Sequence, residues 1–121
     1  NASLGIGPVS YTVVSTPTTL TGISGAGDIS TAYATSMALV GGELRYWGNG
    51  GRFAPGAQAA PIAIGAPVAS LTSVSTGNYV AVAVGPGGAV YSWGDATLRG
   101  CTPNGTDCNA ATTTPALVTL P

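Results

Sequence analysis

A motif of about fifty residues occurs twice in this chain and limits its architecture before any site is considered. Val80-Ala81-Val82-Ala83-Val84, the turn Gly85-Pro86-Gly87-Gly88 and the run Ala89-Val90-Tyr91-Ser92-Trp93-Gly94-Asp95 repeat an earlier stretch. That stretch reads Thr35-Ser36-Met37-Ala38-Leu39, Val40-Gly41-Gly42, then Glu43-Leu44-Arg45-Tyr46-Trp47-Gly48-Asn49. Ile29-Ser30-Thr31-Ala32 returns as Val74-Ser75-Thr76-Gly77 after 45 positions, and Trp47-Gly48 returns as Trp93-Gly94 after 46, because Pro86 lengthens the second turn. Downstream, Pro61-Ile62 aligns with Pro115-Ala116 once the second copy absorbs eight further residues around Cys101 to Cys108. Insertions confined to turns are what surface loops on a fixed scaffold tolerate.

Within each copy the apolar period is two. Val80, Val82 and Val84 share one face of a strand while Ala81 and Ala83 share the other. In the first copy Thr35, Met37 and Leu39 oppose Ser36 and Ala38 in the same way. Bulky residues on one side and only Ala or Ser on the other suit a sheet buried on both sides, with a neighbour packed closely over the small face. Glycine pairs then turn the chain, since Gly accepts positive φ and Pro presets a turn dihedral. Asn49 to Gly56 and Asp95 to Gly100 lose the alternation and read as loops, and short last strands follow near Ile62-Ala63-Ile64 and Ala116-Leu117-Val118. No helical periodicity competes, because Pro and Gly interrupt the windows long enough for a helix. The expectation is an all-β chain with one full unit over residues 22–71, a second over 72–121 and the end of a preceding unit over 1–21.

The order Ile/Val-Ser-Thr-Gly, alternating strand, Gly-Gly turn, Val-Tyr-Ser-Trp-Gly-Asp, loop and Thr-Pro-Ala-Leu-Val resembles the repeat of the regulator of chromosome condensation family. Val90, Tyr91, Trp93, Gly94 and Asp95 carry the resemblance best. The first copy departs from it at Arg45-Tyr46 and at Arg52-Phe53, where a Gly-Gln-Leu-Gly-like loop is usual. Thr16-Pro17-Thr18-Thr19-Leu20 stands where Thr114-Pro115-Ala116-Leu117-Val118 stands in the last unit. The resemblance implies antiparallel four-stranded blades of a seven-bladed β-propeller. Two blades and part of a third cannot close such a ring, so a fragment of a larger propeller is expected. Asn1 in place of an initiator Met points the same way. The remaining blades, or other copies of the chain, would then be its first partners.

Charge narrows the function. The 121 residues include three basic and four acidic side chains, no Lys and no His. A net charge of −1 gives no footprint for nucleic acid or anionic membranes, so the family's chromatin binding is not carried over, and its nucleotide-exchange activity is not carried over because no residue here matches the elements that perform it. The run from Phe53 to Gly94 is uncharged, yet its Gly, Pro, Ser and Thr content argues against membrane insertion. The acids Asp28, Glu43, Asp95 and Asp107 fall in separate segments, and without His or Lys a Ser or Cys nucleophile lacks its usual base. A non-enzyme with no cofactor is expected.

Cys101 and Cys108 bracket six residues containing a Pro and an Asn-Gly turn, a spacing that allows a disulfide worth ~2 kcal/mol and an oxidising compartment. A metal site there would need further ligands, so Asn104 and Asp107 read first as turn formers. Trp47 and Trp93, recurring at one repeat position, read as packing between blades. The residues peculiar to one unit are the binding candidates: Tyr46, Arg52 and Phe53 in the first, with Arg99, Asn104 and Asp107 in the second. Together these features predict a non-enzymatic binding module of a secreted or surface-displayed bacterial protein, periplasmic location remaining open, whose loops engage a protein or glycan. An inhibitor of an extracellular hydrolase and the tip or structural domain of a surface appendage such as a pilus are the alternatives.

Overall fold

The computed structural model describes residues 4–7, 13–49, 54, 56–65, 70–95 and 112–119. These form two antiparallel four-stranded sheets, each with its strands in sequence order. The first comprises β1 (Ala26–Ala32), β2 (Thr35–Val40), β3 (Glu43–Gly48) and β4 (Gln58–Ala63). β5 (Ser73–Thr76), β6 (Val80–Val84), β7 (Val90–Gly94) and β8 (Thr112–Leu117) make up the second. No α-helix occurs among the described residues, and one 3-10 turn, Pro86–Gly88, links β6 to β7.

The turns follow from the residues that make them. Gly41 and Gly42 both take positive φ between the paired Val40 and Glu43, which is the geometry a two-residue hairpin needs to match strand twist. β4 and β8 begin earlier than the apolar pattern indicates and contain Pro61 and Pro115. Both lie at a sheet edge, where a missing ladder donor is tolerated.

The registers confirm the repeat residue by residue. Ser30 opposes Met37 as Ser75 opposes Val82, and Leu39 opposes Leu44 as Val84 opposes Val90. The sheets stack face to face around Met37, Leu39, Leu44 and Tyr46 of the first and Val74, Ala81, Ala83 and Trp93 of the second. Thus the large face of one sheet lies on the small face of the next. Alanines let the backbones approach, while the bulky residues opposite fill the layer.

Burial on both faces holds for β2, whose residues Thr35 to Leu39 are all buried, but not for β6. There Ala81 and Ala83 are buried while Val82 and Val84 are exposed by 40% and 37%. The valines point away from the first sheet, so strand alternation alone cannot tell which face has a neighbour.

β1 and β5 meet through a polar join. The Val74 N–H donates to Asp28 Oδ2 at 2.8 Å, the Thr76 N–H donates to Ser30 Oγ at 2.9 Å, and the Ser30 and Thr76 hydroxyls lie 2.9 Å apart. The Val74 N–H holds the Asp28 carboxyl below its ordinary value near 3.8, with help from the Ser73 side chain. A lowered carboxyl pKa stabilises the fold above the unfolded-state value and loses that contribution as pH falls through the folded-state value. Once both curves are normalised to their stability at pH 7, Asp28→Ala should therefore lose less stability on acidification than the parent, because the join no longer depends on a carboxylate. Identical normalised curves below about pH 4 would show that Asp28 contributes nothing to acid sensitivity.

Candidate functional site

Sheet polarity decides where the loops gather. The β1–β2 and β5–β6 turns and the segments after Gly48 and Gly94 all leave from one end of the sheets, whereas Gly41-Gly42 and Pro86–Gly88 turn at the other. The two loops that vary most between the repeats therefore share an end with two tight turns. That end is the candidate functional surface.

The Trp-Gly pair builds it. At Gly48 φ is +102°, and at Gly94 it is +118°. An added Cβ would sit 2.2 Å from Ala34 O in the first repeat and 2.3 Å from Tyr79 O in the second. The same carbonyls accept from the next residues, Asn49 N–H and Asp95 N–H, at 2.8 Å each. Each loop is thus clasped at its root to the neighbouring tight turn, and glycine is what permits the approach.

Tyr33 and Tyr79 stand in those turns. Tyr33 is 82% exposed and holds a left-handed backbone, φ +55°, while Tyr79 is 41% exposed. Each lies three residues beyond a partner of the Ser30–Thr76 hydrogen bond, at the loop end of its own sheet. A non-glycine residue in the left-handed region costs about 1–2 kcal/mol. Neither stands out by composition. A tyrosine inside a two-residue turn between Thr31-Ala32 and Thr35 is the signal that would have found Tyr33.

Tyr46, expected at the binding surface, is instead wholly buried in the core between the sheets. Its register opposite Met37 points the ring at the second sheet, and its hydroxyl donates to Gly56 O at 3.1 Å. Burial raises its pKa, opposed by the Gln58 side chain. It shapes the loop root from below. Arg52, Phe53, Arg99, Asn104 and Asp107 lie outside the described residues, as do Cys101 and Cys108.

The described acids are dispersed. Asp28 belongs to the β1–β5 join, and Glu43 pairs with Arg45 on β3. Asp95 follows the Gly94 clasp at the loop end. Among the described residues no group of three or more His, Cys, Asp or Glu side chains is placed to hold a metal ion. No helix of the described residues is long and apolar enough to cross a membrane.

Two stacked four-stranded antiparallel sheets, each carrying the same repeat with the Trp-Gly clasp at its loop end, are consecutive blades of a β-propeller. The fold is similar to that of solved propellers, among them yeast RCC1. Human WBSCR16 superposes with a TM-score of 0.78 at 21% identity, over 97% of this chain and 30% of that one. Prp20p from Saccharomyces cerevisiae, described with its binding to Gsp1p and histones, gives 0.78 at 21% identity over 98% and 32%. Yeast RCC1 (Prp20) bound to Kap60 gives 0.60 at 18% identity over 95% and 26%. The chain thus spans about a third of the length of the propellers it matches. No protein-family model and no curated protein matches the sequence.

Proposed function

We propose that this chain is a non-enzymatic protein-binding segment of a propeller and that the loop end of its sheets is the recognition surface. The observation that carries this reading is Tyr33, an aromatic 82% exposed and held at φ +55°, with the exposed Tyr79 in the corresponding turn of the second sheet. Tyrosine is a favoured interface anchor, and a strained exposed one does nothing for the fold that glycine would not do better. Protein partners are also what the similar propellers have: Gsp1p and histones for Prp20p, and Kap60 for yeast RCC1.

Two opposed responses test the proposal. Tyr33→Gly should raise stability by about 1 kcal/mol, by relieving the left-handed conformation. The same change combined with Tyr79→Ala should abolish retention of the proteins that the immobilised parent chain captures from its source cells. Gly87→Ala, at the opposite end, should leave their retention unchanged. If the double tyrosine variant retains the same proteins, the surface has been misplaced. If only sugars on a glycan array compete, the partner is a glycan.

A location outside the cytoplasm is part of the proposal and rests on Cys101 pairing with Cys108. Unreduced protein should then resist alkylation at both residues. Two reactive thiols would move the protein to a reducing compartment.

A further inference from the structure

Tyr46 carries a hydroxyl that the core does not need. Its ring is fully buried between the sheets and opposes Met37 in the β2–β3 ladder, a place that phenylalanine would fill as well. The hydroxyl donates to Gly56 O at 3.1 Å, and the Gln58 side chain bonds to the same oxygen. Both partners belong to one short stretch. Gly48 of β3 pairs with Gln58 of β4, so the residues between them connect the two strands at the loop end of the sheet. In that connection Ala54 is also buried, as a member of the cluster between the sheets. The connection is therefore fixed from beneath at Ala54 and Gly56, and it is closed at its root by the Asn49 N–H on Ala34 O.

The repeat separates this arrangement from the needs of the fold. Ser92 stands where Tyr46 stands, opposite Val82 as Tyr46 is opposite Met37. A serine side chain ends one atom beyond Cβ and cannot span what a tyrosine spans. Since the second sheet forms without a tyrosine there, the hydroxyl answers to something other than sheet formation.

We infer that Tyr46 is a positioning residue for recognition, its hydroxyl holding the β3–β4 connection in the form that a protein partner reads. This inference rests on the reading of the loop end as the recognition surface. A partner that meets an unfixed connection must order it on binding, which weakens the complex, whereas anchoring from the core meets that cost during folding. Gly56 permits the contact, because its φ of +141° is one that side chains rarely adopt. Burial also raises the pKa of the hydroxyl, so the donor persists through neutral and mildly alkaline pH.

Trypsin reads the anchoring without any partner. The chain offers it three sites, after Arg45, Arg52 and Arg99. Arg45 lies within β3, so cleavage there reports unfolding of the sheet, and Arg52 precedes Ala54 by two positions in the sequence. Cleavage of a folded chain follows the population of the locally opened form. Tyr46→Phe keeps the ring and should speed cleavage after Arg52 by about tenfold while leaving that after Arg99 within about twofold of the parent. Ile64→Val, a core change at the far end of β4, should speed cleavage after Arg45 but leave that after Arg52 within about twofold. The immobilised Tyr46→Phe chain should also release the proteins that the parent captures roughly threefold faster or more, because a connection that opens more often lets go more often. Ile64→Val should release them at the parent's rate.

An equal acceleration at all three sites in Tyr46→Phe would overturn the inference, since the hydroxyl would then contribute general stability alone. Faster cleavage after Arg52 with unchanged release would overturn it as well, because the anchored connection would not be what the partner reads. In that case the tyrosine pair at positions 33 and 79 still stands as the recognition surface. Retention by the double tyrosine variant would sink that surface instead, and the cleavage rates, read with no partner present, would still decide whether the hydroxyl anchors the connection.

Discussion

Gly94→Ala should cost the fold about 3 kcal/mol or more, roughly two orders of magnitude in the folding constant. Two effects add. A side chain at φ +118° is strained whatever space surrounds it, and here the new Cβ also falls 2.3 Å from Tyr79 O and 2.9 Å from Val80 Cα. Both neighbours are backbone and cannot swing aside like a flexible side chain. The hairpin must retreat, which stretches the Asp95 N–H to Tyr79 O bond of 2.8 Å and opens the root of the loop. Gly48→Ala should behave alike, because its Cβ falls 2.2 Å from Ala34 O. The control is Gly87→Ala, where φ is +69° with no heavy atom within 4 Å of the new Cβ. Only the backbone preference is lost there, about 1–2 kcal/mol. Urea midpoints of the three variants decide the matter: equal losses at positions 87 and 94 would mean that strain alone, and not the clasp, makes glycine necessary after Trp.

The clasp also shows what the sequence could and could not reveal. The recurrence of Trp-Gly was legible as scaffold, and so were the period of two, the Gly-Gly turn and the stacking of like units. Each depends on local chemistry that repeats when the fold repeats. The reason for the glycine was not legible, because the carbonyl it avoids belongs to a residue fourteen or fifteen positions earlier, brought alongside by the register. The same limit explains Tyr46. Its repeat partner is Ser92, so its difference between copies looked like a surface specialisation, but the first sheet has a neighbour over that face and the ring fills the layer. Val82 is the converse, an apolar residue in an alternating strand whose neighbour is not supplied by the two units described. Periodicity identifies faces, and only tertiary contact says which faces are covered. Tyr33 was missed because its peculiarity is a dihedral angle rather than a residue type.

The second large effect should be at Trp93. Its side chain is fully buried and belongs to the cluster shared by both sheets, opposite Ala81 in the ladder. Ala81 is too small to fill the space a truncated Trp93 would leave, and the sheets are tied together by the backbone-to-side-chain hydrogen bonds of the β1–β5 join, so the layer cannot simply collapse. Trp93→Ala should therefore cost about 4 kcal/mol, close to a thousandfold in the folding constant. Trp47 occupies the same repeat position and is nearly as buried, but its ring lies on the outer face of the first sheet against Gly5. Trp47→Ala should cost less, because the segment around Gly5 can move without separating the sheets. Each variant keeps one tryptophan as the fluorescence reporter of denaturant unfolding. A smaller loss at Trp93 than at Trp47 would place the main core between the first sheet and the N-terminal segment rather than between the two sheets.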